Sequence, residues 1–434
     1  MHVHLAYGRT GVDVDVDPDR TDVVRPAHRP AAADPAAELR RALREPVAGP
    51  PLRDRVAPGS TVAISVCDIT RAQPRELMVN AVLAELEGLV ARADVTVVVA
   101  TGTHRANTDA ELRAMVGDEI VDTVRIVNHD ARNSDTLTWR GTHGGVPVWL
   151  NRDWCDADVR ITTGFVEPHF FAGFSGGPKL VVPGLAGLDT VLVLHDAARI
   201  GSDRATWGVT EGNPVHDDIR AVVGAVGGVT YALDVTLDDD QRIVSAYGGD
   251  LFAMHAAACA EVKDAAMVAV PDRYDVVVTT GSGYPLDQNL YQSVKGMSAA
   301  ATVVKPGGSI LCVTECADGF PDHGSYRDVL SSAGSPEELL AQIAARSVTV
   351  PDQWQVQVQA KVQVLAGVSV ATGGLTAAEL AQAHLGHVAP DAAAIAAWAA
   401  AALARAGRGA RMCVLPEGPQ TVPYVAAEVR VPSV

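Results

Sequence analysis

The chain has 434 residues, enough for two or three domains at about 150 residues each, which excludes a peptide-sized scaffold or a lone binding module. Hydrophobic residues make up 48% and charged residues 20%, interspersed, so general disorder is excluded as well. The net charge of -17, from 52 acidic against 35 basic residues, has the wrong sign for nonspecific binding to nucleic acid.

The start, MHVHLAYGRTGVDVDVD, lacks the basic and apolar regions of a secretory leader. Six scattered cysteines show neither disulfide-framework density nor paired metal spacing, so reduced thiols and a cytoplasmic location are expected. Residues 12 to 58 are rich in Pro, Asp and Arg, with one helix expected around Ala36 to Arg44, and read as a surface connector. The longest apolar run, Ala392 to Ala404, is short of the roughly 20 residues that cross a membrane, and reads as a packed helix.

Between these ends the chain alternates. TVAISVCD, VTVVVATGTH, VRIVNHD, VRITTGF, YDVVVTTGSG and GSILCVTEC read as buried strands. RELMVNAVLAELEGLVARA and SPEELLAQIAARS carry helix-period apolar spacing. The alternation predicts an α/β fold of two domains with largely parallel sheets, and an active-site cleft is expected between them, where Arg71 and Lys295 could clamp an anionic substrate. A boundary is expected where EVKDAAMVAV gives way to Pro271 and Asp272. The expected organisation is a first domain over 1–270, a second over 271–390, and a segment 391–434 returning to the first.

Ligands of parallel sheets gather beyond the carboxyl ends of strands, so residues just past each run are candidates. In CDITRAQP, Asp68 and Arg71 precede a helix; the guanidinium can grip a carboxylate, or the pair can be a cap and a surface charge. His104, after ATGT, stands where a general base would. In EPHFFAGFSGGPK, Gly176 and Gly177 permit close backbone approach to a ligand, and Lys179 is presented as a phosphate contact or an amine nucleophile. This is no Walker loop, because Leu180 follows the lysine. His195 could be a single metal ligand or a satisfied core histidine; no zinc motif accompanies it. In GYPLDQNLYQSVKGM, Gln292 and Lys295 share a helix face beside Tyr291 and could meet an anion, while Trp354 could wall a pocket or belong to the core.

Together and in this order, LAYGRTGVDVDV, CDITRAQP, ATGTHR, EPHFFAGFSGGPK, LHDAAR, GYPLDQNLYQSVKGM and PDQWQ resemble the nickel-dependent lactate racemase family along nearly the whole chain. The resemblance implies a nickel-pincer nucleotide held covalently at Lys179, with His195 as the protein ligand of nickel and Asp68, Gly176 and Gly177 beside the cofactor. It implies His104 and His169 as an acid/base pair, and Arg71, Lys295, Gln292, Tyr291 and Trp354 around a 2-hydroxycarboxylate, lactate by default. Asp68 would orient the cofactor or Arg71. Cofactor-biosynthesis proteins of the host and a second copy of the chain are the macromolecular partners considered, with neither nucleic acid nor membrane expected. A sugar-acid epimerase on the same cofactor, a noncatalytic nickel-nucleotide binder and a phosphate-binding transferase are the competing readings.

Overall fold

The computed structural model describes residues 1–27, 29–321 and 324–428. Among these, a central unit holds 29–195 and 204–263, and a terminal unit holds 1–27, 196–203 and 264–428.

The terminal unit begins with a hairpin pairing His2–Leu5 to Val12–Asp15, followed by strand β1 (Thr21–Val23). The central unit then contributes α1 (Pro35–Arg44), β2 (Val62–Cys67), α2 (Arg75–Leu86), β3 (Val95–Ala100) and β4 (Arg125–Asn128). It continues through β5 (Val159–Phe165), α3 (Leu188–Leu194), α4 (Pro214–Val226), β6 (Tyr231–Leu237), β7 (Ile243–Gly249) and α5 (Leu251–Ala266). Its sheet runs β7-β6-β5-β2-β3-β4, parallel except at β6/β7. Chain direction across the sheet reverses between β2 and β5, so the loops leaving those two strands share the crevice in which such sheets take ligands.

Back in the terminal unit come β8 (Tyr274–Thr280), α6 (Leu290–Ala301), β9 (Val304–Val313) and α7 (Gln353–Leu365). Then follow β10 (Gly367–Ala371), β11 (Gly386–Val388), α8 (Ala392–Ala406) and β12 (Met412–Leu415). This second sheet, β11-β10-β9-β8-β12-β1, is wholly parallel. The expected α/β class with largely parallel sheets is the observed one.

Two expectations fail. The segment after 390 does not return to the central unit: β12 is apolar and buried along its length, and it lies between β8 and β1 with a parallel partner on each side. It is the N-terminus that crosses over, bringing Val3, Leu5 and Val14 into one core with Val278, Leu311, Val414 and Ile395 of α8. Nor is the stretch from 12 to 58 merely a connector. Leu39 and Leu43 of α1, together with Leu52, are fully buried and join Ile64, Met78 and Leu233 in the central core. Helix α1 starts at an Asp34 cap on the Ala37 amide and buries one apolar stripe. Among the described residues no helix is long and apolar enough to cross a membrane.

Candidate active site

Asp68 is the first residue beyond β2, and His104 lies four beyond β3. Their side chains meet, with His104 Nδ1 2.6 Å from Asp68 Oδ2. The carboxylate is buried, which opposes ionisation, but the imidazole, the charge of Arg71 and the Thr70 hydroxyl outweigh that and bring its pKa to about 2. An ionised acceptor fixes the hydrogen on Nδ1 and leaves the Nε2 lone pair of the half-exposed ring pointing outward, the form that takes a proton. Asp68 therefore orients His104, a role the sequence had directed toward the cofactor or Arg71. Thr70 Oγ1 donates to its other oxygen at 2.6 Å.

The loop that presents Asp68 and Arg71 is tied from within. Arg75, buried at the start of α2, donates from Nε to the Cys67 carbonyl at 2.7 Å, from Nη1 to that of Gln73 at 3.1 Å, and from Nη2 to those of Asp68 and Arg71. Gln73 accepts the Cys67 amide at 2.7 Å and donates to Thr163 of β5 at 2.9 Å. Asn107 accepts the Ile69 amide at 3.1 Å, joining this loop to the one that carries His104.

The loop after β5 makes a miniature hairpin, Pro168 and His169 against Phe174 and Gly173. His169 Nδ1 accepts the amides of Phe171 and Ala172 at 3.4 and 3.2 Å, so its hydrogen sits on Nε2. Gly176 and Gly177 follow at φ +74° and +51°, left-handed values that suit glycine. Space demands glycine too: a Cβ would lie 2.7 Å from Asp234 Oδ2 at the first and 2.4 Å from His255 Cγ at the second. Lys179 then sits in a single 3-10 turn, Gly177–Leu180. The Gly184 amide donates to the Lys179 carbonyl, and the Gly184 carbonyl accepts the amide of Gly102, both at 3.0 Å, which joins the lysine loop to the turn before His104.

His195 caps the C-terminus of α3 and is buried. Its Nδ1 lies 2.8 Å from the Val191 carbonyl, so Nδ1 donates and carries the hydrogen. Three candidates converge on Phe171: the His169 and His195 rings lie 4.4 and 5.5 Å from its ring, and Lys179 Nζ 5.8 Å.

Beneath this loop lies a polar bed. Asn213 Nδ2 donates to the Phe171 carbonyl at 3.0 Å, His216 bonds the backbone of Ala172, His255 Nε2 donates to the Ser175 carbonyl at 2.8 Å, and Asp234 Oδ2 accepts the Gly177 amide at 2.6 Å. Burial lowers the pKa of both histidines to about 4, so they are neutral donors. Burial raises that of Asp234 to about 7 against the Gly177 amide, and among the described residues its Oδ1 has no protein partner. Neither Arg75 nor this bed was found from sequence. The one available signal was an aspartate amid the apolar run YALDVTL.

The other candidates belong to the terminal unit. Asn289 caps α6 through the Gln292 amide at 3.2 Å, and Lys295 follows on the same helix. Trp354 is buried and donates from Nε1 to the Tyr291 hydroxyl at 3.2 Å, while Gln355 holds the Tyr291 carbonyl at 2.5 Å. Ahead of the helix, buried Asp287 accepts the amides of Gly8 and Glu315 at 2.8 and 3.0 Å.

The central unit thus offers an imidazole oriented by a carboxylate, a second imidazole, an amine on a glycine turn and a buried histidine whose Nδ1 is held by backbone. Among the described residues no group of three or more His, Cys, Asp or Glu could hold a metal. A lone histidine fits a metal whose remaining ligands arrive with an organic cofactor.

Two families match the chain: lactate racemase N-terminal domain over residues 7–208 and lactate racemase C-terminal domain over 253–422. A lactate racemase of Thermoanaerobacterium thermosaccharolyticum is 34% identical over 369 residues, 84% of this chain and 86% of that protein. A lactate racemase of Lactiplantibacillus plantarum is 34% identical over 329 residues, 75% and 77% of the two chains. The apoprotein structure of the Thermoanaerobacterium enzyme superposes with a TM-score of 0.90 at 30% identity, covering 98% of this chain and all of that one. A Thermotoga maritima protein shares the fold with a TM-score of 0.67 at 17% identity, covering 91% and 99%.

Proposed function

The chain belongs to the lactate racemase family, and from that premise we propose that it interconverts the enantiomers of a 2-hydroxycarboxylate, lactate first among them, on a nickel-pincer nucleotide joined to Lys179. The observation that carries the reading is the convergence of His169, Lys179 and His195 on Phe171, in a loop bonded to the turn that carries the Asp68-paired His104.

The chemistry asks for this set. Removing the α-proton of a 2-hydroxycarboxylate would build a carbanion beside an ionised carboxylate; removing hydride avoids that carbanion and leaves a planar 2-keto acid, open on both faces. When bound, the nickel-pincer nucleotide supplies a reversible hydride acceptor. The protein's task is then the hydroxyl proton. The two enantiomers place their oxygens differently, so a group is needed on each side, and His104 and His169 are assigned to them. His104 accepts at Nε2, and the imidazolium that forms is stabilised by Asp68. For His169 to take the proton on its side, the hydrogen on Nε2 must move to Nδ1, which requires the Phe171 and Ala172 amides to release that atom.

His195 would ligate nickel through Nε2, and Gly176 and Gly177 would admit the nucleotide. Arg71 and Lys295 are assigned to the substrate carboxylate, and Gln292, Tyr291 and Trp354 to the rest of the substrate. Cytoplasmic cofactor-biosynthesis proteins would load the cofactor.

The test is the intact mass of protein from a host that makes the cofactor, with peptide mapping around Lys179, followed by a chiral assay across 2-hydroxyacids. A nucleotide-sized adduct at Lys179 with racemisation supports the reading. An unmodified Lys179, in a host that loads another family member, refutes it.

A further inference from the structure

Phe171 has no role in the proposed chemistry, yet His169, His195 and Lys179 all lie against its ring. It is buried, with 5% of its surface exposed, and its backbone is held at both ends: the amide donates to His169 Nδ1 at 3.4 Å, and the carbonyl accepts from Asn213 at 3.0 Å. Phe170 packs edge-on at 4.6 Å. The His169 and His195 rings meet the phenyl at 76° and 86°, the perpendicular arrangement that the ring quadrupole favours. Lys179 Nζ lies over the ring, within the range in which an ammonium is attracted to it.

We propose that Phe171 is a positioning residue: it orients the imidazoles of His169 and His195 and holds the Lys179 ammonium until the cofactor is joined. The inference rests on the roles assigned above to those three residues. One post shared by three groups fixes their separations, which separate supports would not. The attraction to Lys179 is specific to the unloaded protein, because the amide-type nitrogen that Nζ becomes when the cofactor is joined carries no positive charge. The contact between ring and amine is therefore a feature of the unloaded protein and is lost once the bond is made. A leucine of similar bulk fills the space without a quadrupole.

The experiment compares wild type, Phe171→Leu and Phe171→Tyr as full-length chains. In unloaded protein, acetylation of Lys179 by acetic anhydride is followed by peptide mass. Phe171→Leu should label about two- to fivefold faster, the factor a modest cation–π contact represents, and Phe171→Tyr at the wild-type rate. In loaded protein, Phe171→Leu should lose about tenfold or more in kcat with KM within about threefold, as misplaced groups do, and Phe171→Tyr should recover most of it. Unchanged labelling in Phe171→Leu overturns the hold on Lys179, and an unchanged kcat overturns the positioning of the imidazoles. If wild type accepts no adduct, the proposed function falls while the labelling comparison still decides the role of Phe171.

Discussion

Asp68 Oδ2 lies 2.6 Å from His104 Nδ1, and this contact decides which nitrogen of His104 faces outward with a lone pair. Because the carboxylate titrates at about 2, the pair stays intact through neutral and mildly acid pH. Its pKa lies below the ordinary 3.8, so its contribution to stability is complete above that value and is lost as pH falls toward about 2.

Asp68→Asn keeps the size of the side chain but can turn an amide N–H toward Nδ1, which selects the other tautomer and removes the charge that stabilises an imidazolium. A fall of about 100-fold or more in kcat, with KM little changed, is expected by steady-state racemisation assay. A wild-type kcat would mean that His104 takes no proton.

Arg75 shapes the same loop without facing the ligand. Arg75→Leu would remove the side-chain hydrogen bonds to the carbonyls of Cys67, Asp68, Arg71 and Gln73, at about 1 kcal/mol each, while the Asp68 and Gln73 carbonyls keep backbone donors. Urea denaturation should show a loss of about 2–4 kcal/mol, with Arg75→Lys recovering only part, since one ammonium cannot span the fork of a guanidinium.

The strands and the candidates after them were legible because buried parallel strands are apolar runs and the chemistry sits just past their ends; His104 and Asp68 follow that rule. Arg75 was not legible. It looks like the first residue of an ordinary amphipathic helix, and only the backward curl of the loop brings four carbonyls within its reach. The bed of Asn213, His216, Asp234 and His255 was hidden for a related reason: its members come from two helices and a strand, and share no spacing. The composition of 12–58 misled, because an apolar stripe of two leucines in α1 is easily lost among Pro, Asp and Arg.

That stripe makes a stability prediction. Leu43 is fully buried in the central core, so Leu43→Ala removes apolar contacts and leaves a cavity, at a cost of about 3 kcal/mol in chemical denaturation. A surface connector would lose less than about 0.5 kcal/mol.

Asp234 makes the stability of the central unit depend on pH in an unusual direction. Its folded pKa is raised from 3.8 to about 7, so the folded state holds a proton that the unfolded state has released, and stability falls as pH rises between those values. The full effect is on the order of 4 kcal/mol, reached near neutrality and constant above it. Neighbouring His216 and His255 work oppositely: each is lowered from 6.5 to about 4, so each adds stability as pH rises through that interval. The wild-type melting curve mixes these signs, and the difference between Asp234→Asn and wild type isolates the aspartate. Asparagine keeps an oxygen for the Gly177 amide and carries no charge, so the variant should gain in Tm relative to wild type on going from pH 5 to pH 8. A Tm difference that stays flat across that range would show that Asp234 is ionised throughout, and the bed beneath Lys179 would then carry a negative charge at every working pH.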